Sequence, residues 1–162
     1  MAGMAGRARN TTSEASGPDE RLQKSALTGD ISFLLARANA LSLAAGNAAL
    51  AQHGLRVRSY SVLALAADDI RPSQRDLATF LRLDPSQVVA LVDDLQGRGL
   101  VRREADPADR RTNVVVATAE GRKLFAAAQS AARDAERALH DDITPDQRRT
   151  LGELLRLLAF PG

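Results

Sequence analysis

The sequence predicts a mainly α-helical chain carrying one small β-wing, on three observations. Aromatic residues make up only 3% of the 162 residues, and Ala and Leu dominate the apolar set, which favours helices packed through small side chains. Two helix starts follow one another closely, Ser73-x-x-Asp76 and Asp84-Pro85-x-Gln87, each leading into a short apolar stripe. Two short apolar runs, residues 100–105 and 113–118, then bracket a turn rich in Pro, Asp and Arg. Together these describe a winged helix-turn-helix with helices on either side of it.

In chain order, residues 1–27 are rich in Gly, Ala, Ser, Thr and Arg and lack apolar periodicity, so a disordered tail is expected. Its Arg7 and Arg9 either brush nucleic-acid phosphates or are simply solvated. Residues 30–53 read as one long helix with Asp30 near its start. Ile31, Leu34, Leu35, Ala38, Leu41, Ala45, Ala48 and Ala49 give it an apolar face wide enough to meet more than one element. His53 lies in its last turn and Gly54 ends it. Residues 58–67 form a shorter helix, with Tyr60, Leu63, Ala64 and Ala67 at helical spacing, before Asp68-Asp69 and Arg71-Pro72 interrupt.

The helix-turn-helix follows. Ser73 and Asp76 form a capping-box-like start, and Leu77, Ala78 and Leu81 fall on one face. At the second start Asp84 caps, Pro85 suits the first helical position and Gln87 can reach back. Val88, Leu91, Val92 and Leu95 form the buried stripe, and Gly97 and Gly99 stop the helix. In the second strand, Val114 and Val116 alternate with other residues, the period of a half-buried strand.

After the wing, Thr118 caps a helix of residues 119–140 with Leu124, Ala128, Ala131, Ala135 and Leu139 on one side. Thr144-Pro145-Asp146-Gln147 is a cap, a proline and a reciprocal glutamine, and Leu151, Leu154, Leu155 and Leu158 follow it. The organisation expected is therefore a tail at 1–27, a winged helix-turn-helix at 58–118, and a helical dimerisation region formed by 28–57 and 119–162. A winged helix of this size cannot cover the apolar faces of the flanking helices. A second copy of the chain covers them, or they close on each other as an intramolecular three-helix bundle.

Composition excludes several functions. The balance of 22 basic against 20 acidic residues gives a net charge of +2, so a nucleic-acid surface has to come from local clustering. All cations but Lys24 and Lys123 are arginines, which suit phosphate and guanine contacts. No cysteine is present, which removes disulfides, thiolate metal sites and cysteine-based oxidation sensing. No apolar run is expected to approach the roughly 20 residues that span a bilayer, and no signal core is evident, so a cytoplasmic protein is expected. His53 and His140 are far apart, and His140-Asp141-Asp142 only imitates a metal cluster, because consecutive positions do not share a helix face. No Gly-rich phosphate loop, nucleophile elbow or zincin motif occurs. Neither a cofactor nor enzymatic activity is expected.

What the apolar stripes leave over points to double-stranded DNA. Ser86, Gln87 and Ala90 face outward near the start of the second helix, the end that meets bases in a helix-turn-helix. Gln pairs bidentately with adenine and Ser bonds several bases, although both are also ordinary first-turn residues. Arg110 and Arg111 stand at the hairpin tip, where a cation can enter a narrow minor groove. Ser73, Gln74, Arg75, Arg82, Arg98 and Arg103 are candidates for phosphate contacts that set register.

The run Gly99-Leu100-Val101-Arg102-Arg103, then Asp106-Pro107-x-Asp109-Arg110-Arg111, residues 114–118 and Glu120-Gly121 resembles the MarR family of bacterial transcription regulators, over about residues 30–159. The resemblance implies a homodimer on pseudo-palindromic DNA, often released by a small ligand. It assigns Arg111 to the minor groove and Asp109 to orienting it. Where many members carry Thr-Arg in the recognition helix this chain has Val89-Ala90, and it has Asp94 where they carry Arg. The wing and Gln87 are therefore expected to carry more of the binding. Family ligands often sit between the dimerisation helices and the winged helix, near Arg37, His53, Arg56 and Tyr60. The expected function is a sequence-specific, ligand-responsive repressor; the alternative is a winged-helix module for protein contacts.

Overall fold

The computed structural model describes residues 18–162. The chain divides into two units, Met1–Asn39 and Ala40–Gly162.

The described part of the first unit begins with a one-turn helix, α1 (Pro18–Leu22), whose first turn carries Asp19 and Glu20. A 3₁₀ turn follows at Ala26–Gly29, with the Ser25 hydroxyl accepting from the Leu27 amide at 3.3 Å. Of the tail expected over 1–27, residues 1–17, with Arg7 and Arg9, lie outside the described residues. Residues 18–27 carry these two helical turns, supported locally by acids at a helix start and by the serine cap. Helix α2 (Ile31–Leu50) starts in this unit. Asp30 caps it, accepting from the Phe33 amide at 3.1 Å. Ile31, Leu34 and Leu35 are exposed.

With the 3₁₀ turn Ala51–His53, α2 makes 23 residues, Ile31–His53, long and apolar enough to cross a membrane by length and composition. This corrects the expectation that no apolar run approaches that length. The apolar character is spread over many alanines, so no dense Leu or Ile block announces it. Arg37 lies within the run, and an ionised guanidinium in hydrocarbon is costly.

The second unit holds the core. Gly54 ends the 3₁₀ turn in a left-handed conformation, φ 63°, and helix α3 (Val57–Ala67) begins close against α2. The glycine at position 46 gives room for this: a Cβ there would sit 2.7 Å from a Val57 methyl carbon, which would have to move. Asn47 of α2 caps the new helix, accepting from the Val57 amide at 2.9 Å. Helix α4 (Gln74–Leu81) starts with the predicted reciprocal cap: Ser73 accepts from the Asp76 amide and Asp76 from the Ser73 amide. The Ser73 hydroxyl also donates to the Asp76 carboxylate at 2.7 Å, and that bond first, then the one from the Ser73 amide, holds the Asp76 carboxyl below its ordinary pKa. Helix α5 (Pro85–Gly97) is capped by Asp84, but the Ser86 hydroxyl rather than the Gln87 side chain completes the cap.

Strands β1 (Val101–Ala105) and β2 (Asn113–Ala117) pair antiparallel, Val101 opposite Ala117 and Arg103 opposite Val115. Helices α6 (Ala119–Leu139) and α7 (Pro145–Ala159) complete the chain, each on its predicted threonine cap. The core gathers Leu50, Leu63, Leu77, Val88, Val92, Leu95, Val101 and Val115 from α2, α3, α4, α5 and both strands. At the end of β2, the Thr118 hydroxyl accepts from the Gly121 amide at 3.0 Å, while the Thr118 amide donates to the Leu100 carbonyl at 3.0 Å. The start of α6 is thereby seated against Leu100, just ahead of β1.

Strand β2 departs from the half-buried alternation read from Val114 and Val116. Val114, Val115, Val116 and Ala117 are all buried. Val115 and Ala117 face the core. Val114 and Val116 share the other face with Glu104 and Arg102, their cross-strand partners. There Glu104 takes ion pairs from Arg102 and Arg71, which hold its carboxyl below the usual range. The free edge of β2 is met by the preceding segment, the Val115 amide donating to the Pro72 carbonyl at 2.8 Å. No residue of α7 is buried, so within one chain its leucines do not close into a bundle.

Candidate nucleic-acid interface

Three turns build the site. The first joins α4 to α5. Arg82 holds it in a left-handed conformation, φ 53°, its amide donating to the Ala78 and Thr79 carbonyls. The second is the first turn of α5, where Ser86, Gln87, Val89 and Ala90 are exposed while Val88 and Val92 are fully buried. The third is the wing tip. Asp106 accepts from the Ala108 amide at 2.8 Å, and Asp109 from the Arg111 amide at 3.0 Å. The Thr112 hydroxyl also reaches Asp109, and the Asp106 amide closes onto the Thr112 carbonyl. Arg110 and Arg111 stand exposed on this braced turn, with no ion pair among the described residues.

Two roles change with these contacts. Asp109 holds Arg111 through its main-chain amide, which fixes the backbone of the tip and leaves the guanidinium to be placed by what it binds. The Ser86 hydroxyl donates to Asp84, and that bond, with the one from the Ser86 amide, lowers the pKa of the Asp84 carboxyl. Gln87 is therefore the outward side chain on this turn whose amide is not committed to the cap.

The six predicted phosphate contacts separate into groups. Arg75 is exposed on the first turn of α4 and Arg82 at the α4–α5 turn, while Ser73 serves the α4 cap. Arg98 turns away from the wing and bonds the Gly54 carbonyl at 2.9 Å and Asp94 at 3.4 Å. Arg103 bonds Gln74, Gln96 and Asp93. Sequence reasoning missed Asp93 and Gln96. The signal was present: an acid on the outward face of a recognition helix requires a cation nearby.

Of the four candidate ligand residues, the three in the second unit, His53, Arg56 and Tyr60, are not brought together. Arg37 is exposed in the first unit. His53 lines a shallow cleft of about 580 Å³ against α6, among alanines with Ser130 and Asp134. Tyr60 packs on Phe125 with ring centroids 5.6 Å apart, and burial, first among the causes, raises its hydroxyl pKa. Arg56 lines a second cleft of about 540 Å³ between α2, the start of α3 and α5, together with Asn47, Arg58, Asp94 and Arg98.

A model of the MarR family matches residues 55–112. Among solved structures, a MarR-family transcriptional regulator from Rhodococcus sp. RHA1 is similar at 43% identity and a TM-score of 0.80, over 85% of this chain and 98% of that one. CouR from Rhodococcus jostii RHA1, bound to p-coumaroyl-CoA, is similar at 44% identity and a TM-score of 0.78, over 85% and 97% of the two chains. A CouR repressor bound to a 23-mer DNA duplex is similar at 29% identity and a TM-score of 0.76, over 83% and 95%. Two curated transcriptional regulators match over shorter stretches, which span 51% and 60% of their lengths.

Proposed function

This chain belongs to the MarR family of transcriptional regulators, and from that premise we propose that it is a homodimeric repressor of a pseudo-palindromic operator, relieved by a small ligand. The observation that carries the reading is the pairing of outward Gln87 and Ala90 at the start of α5 with a braced wing tip whose Arg110 and Arg111 are exposed. In the proposed complex, α5 enters the major groove and presents Gln87 to a base edge. Arg111, with Arg110 beside it, enters the minor groove, and Arg75 and Arg82 sit on phosphates. Residues 28–57 and 119–162 supply the dimer contacts, which hold two recognition helices about one helical turn, roughly 34–36 Å, apart. The protein then works in the cytoplasm, where its DNA is.

Arg111→Ala is expected to weaken operator binding by about 1–3 kcal/mol while the dimer persists. Titration in gel shifts, with sedimentation of the same variant, checks both parts; unchanged affinity would sink the wing assignment. In wild type the duplex affinity should fall steeply with salt and favour one sequence over scrambled DNA. Absence of duplex binding at low salt would instead favour the protein-interaction module.

For the ligand, we infer an acyl-CoA thioester of the kind the Rhodococcus jostii CouR structure holds. The support in this chain is the cleft lined by Arg56, Arg58 and Arg98, where guanidinium groups suit phosphates. A ligand there would compete for Arg98 and release the end of α5 from the Gly54 carbonyl. It shifts the protein only as far as it prefers that released state. p-Coumaroyl-CoA is expected to dissociate the protein–operator complex at concentrations where free coenzyme A and p-coumarate do not. Equal effects of all three in a competition gel shift would reject this ligand class.

A further inference from the structure

We propose that Arg103 is a positioning residue, a clamp that sets the wing at a fixed angle to the recognition helix, and not a phosphate contact. The proposal rests on the DNA-binding reading above. Register places Arg103 opposite Val115, on the core-facing side of the hairpin, while Arg102 and Glu104 point to the other side. Its side chain is only 23% exposed. One terminal nitrogen donates to Asp93 at 2.6 Å and to Gln74 at 2.9 Å, and the other donates to Gln96 at 2.8 Å.

These three acceptors come from two helices. Gln74 is the first residue of α4, and Asp93 and Gln96 lie one turn apart on α5. A single guanidinium therefore joins both helices of the reader to the first strand of the wing. The task needs a planar fork with several fixed donors; a lysine ammonium reaches fewer acceptors and holds them less rigidly. The arrangement also accounts for Asp93. It is 59% exposed on the outward side of α5, where an unpaired carboxylate would repel DNA phosphates. Paired with Arg103, it becomes an internal anchor. Both terminal nitrogens are engaged, so approach to a phosphate would require giving up contacts that align the wing tip.

The test compares Arg103→Ala and Arg103→Lys with wild type in the full-length protein, reading operator affinity across salt concentrations and hydrogen exchange of the wing amides. The clamp predicts a loss of tenfold or more in Arg103→Ala with the slope of log affinity against log salt unchanged. It predicts that Arg103→Lys recovers little of that loss, and that the Val101–Ala105 amides exchange faster in both variants. A phosphate contact predicts the reverse: a slope shallower by about 0.9, near-complete rescue by Lys and unaltered exchange. Either the shallower slope or the Lys rescue overturns the clamp. If wild type binds no duplex at all, the regulator reading fails, and the exchange measurement still decides the clamp.

Discussion

Replacing Gly121 by alanine is expected to cost about 3 kcal/mol or more of unfolding free energy, near the upper end for a single added methyl. A Cβ at this position would lie 1.9 Å from the carbonyl oxygen of Leu100 and 2.9 Å from its carbonyl carbon. The obstacle is backbone, so no rotamer change relieves it. The Leu100 carbonyl is also fixed where it is, because it accepts from the Thr118 amide. Relief therefore means pulling α6 off the Leu100 backbone, which breaks the Thr118 cap and opens the core beside Leu100. Gly97→Ala is the matched control: nothing lies within 4 Å of its Cβ, and a change within about 0.5 kcal/mol is expected. Urea unfolding of both variants checks the pair. A Gly121→Ala protein as stable as the control would show that α6 is not seated against Leu100.

If the proposed dimer forms through α7, Leu154→Asp combined with Leu158→Asp is expected to convert it to monomer and to lower operator affinity by roughly 10²–10⁴, the factor that tethering two binding modules confers. The two leucines lie one turn apart on α7, at 55% and 63% exposure. A buried leucine contributes about 1.5–3 kcal/mol relative to an exposed one. An ionised carboxylate in its place meets the full penalty of an unpaired charge removed from water. The winged helix itself should survive, since no residue of α7 is buried in it. Sedimentation and gel shifts on the same samples read both effects. A variant that stays dimeric at micromolar concentration would remove α7 from the interface.

The helix starts at Ser73, Asp84, Thr118 and Thr144 were legible because a cap is a local device, written within three or four residues. The wing tip was legible for the same reason: Asp106 and Asp109 each accept from a main-chain amide two residues on, around Pro107. What the sequence hid depends on partners far along the chain. Arg98 and Arg103 both read as surface cations available to phosphate. Their acceptors include Gly54, 44 residues away, and Gln74, 29 residues away. A sequence shows that a side chain is charged, but not that another segment has already supplied its counterpart. The helix over Ile31–His53 was legible, but its membrane-spanning apolar length escaped for a different reason, since alanine contributes apolar length without conspicuous bulk.

The burial of four consecutive residues in β2 bears on how the wing finds its register. In a strand with one wet face, a slip of one residue exchanges buried for exposed side chains and is penalised at every position. Residues 114–117 offer no such contrast, because Val-Val-Val-Ala presents nearly the same apolar surface to both faces. Discrimination has to come from the opposite strand. A slip would carry Arg103 away from Asp93 and Gln96, and Glu104 away from Arg71, so several charges would lose their counterparts together. The hydrophobic strand thus supplies adhesion without alignment. The polar strand supplies alignment, and with it the single phase in which Arg110 and Arg111 arrive at the tip.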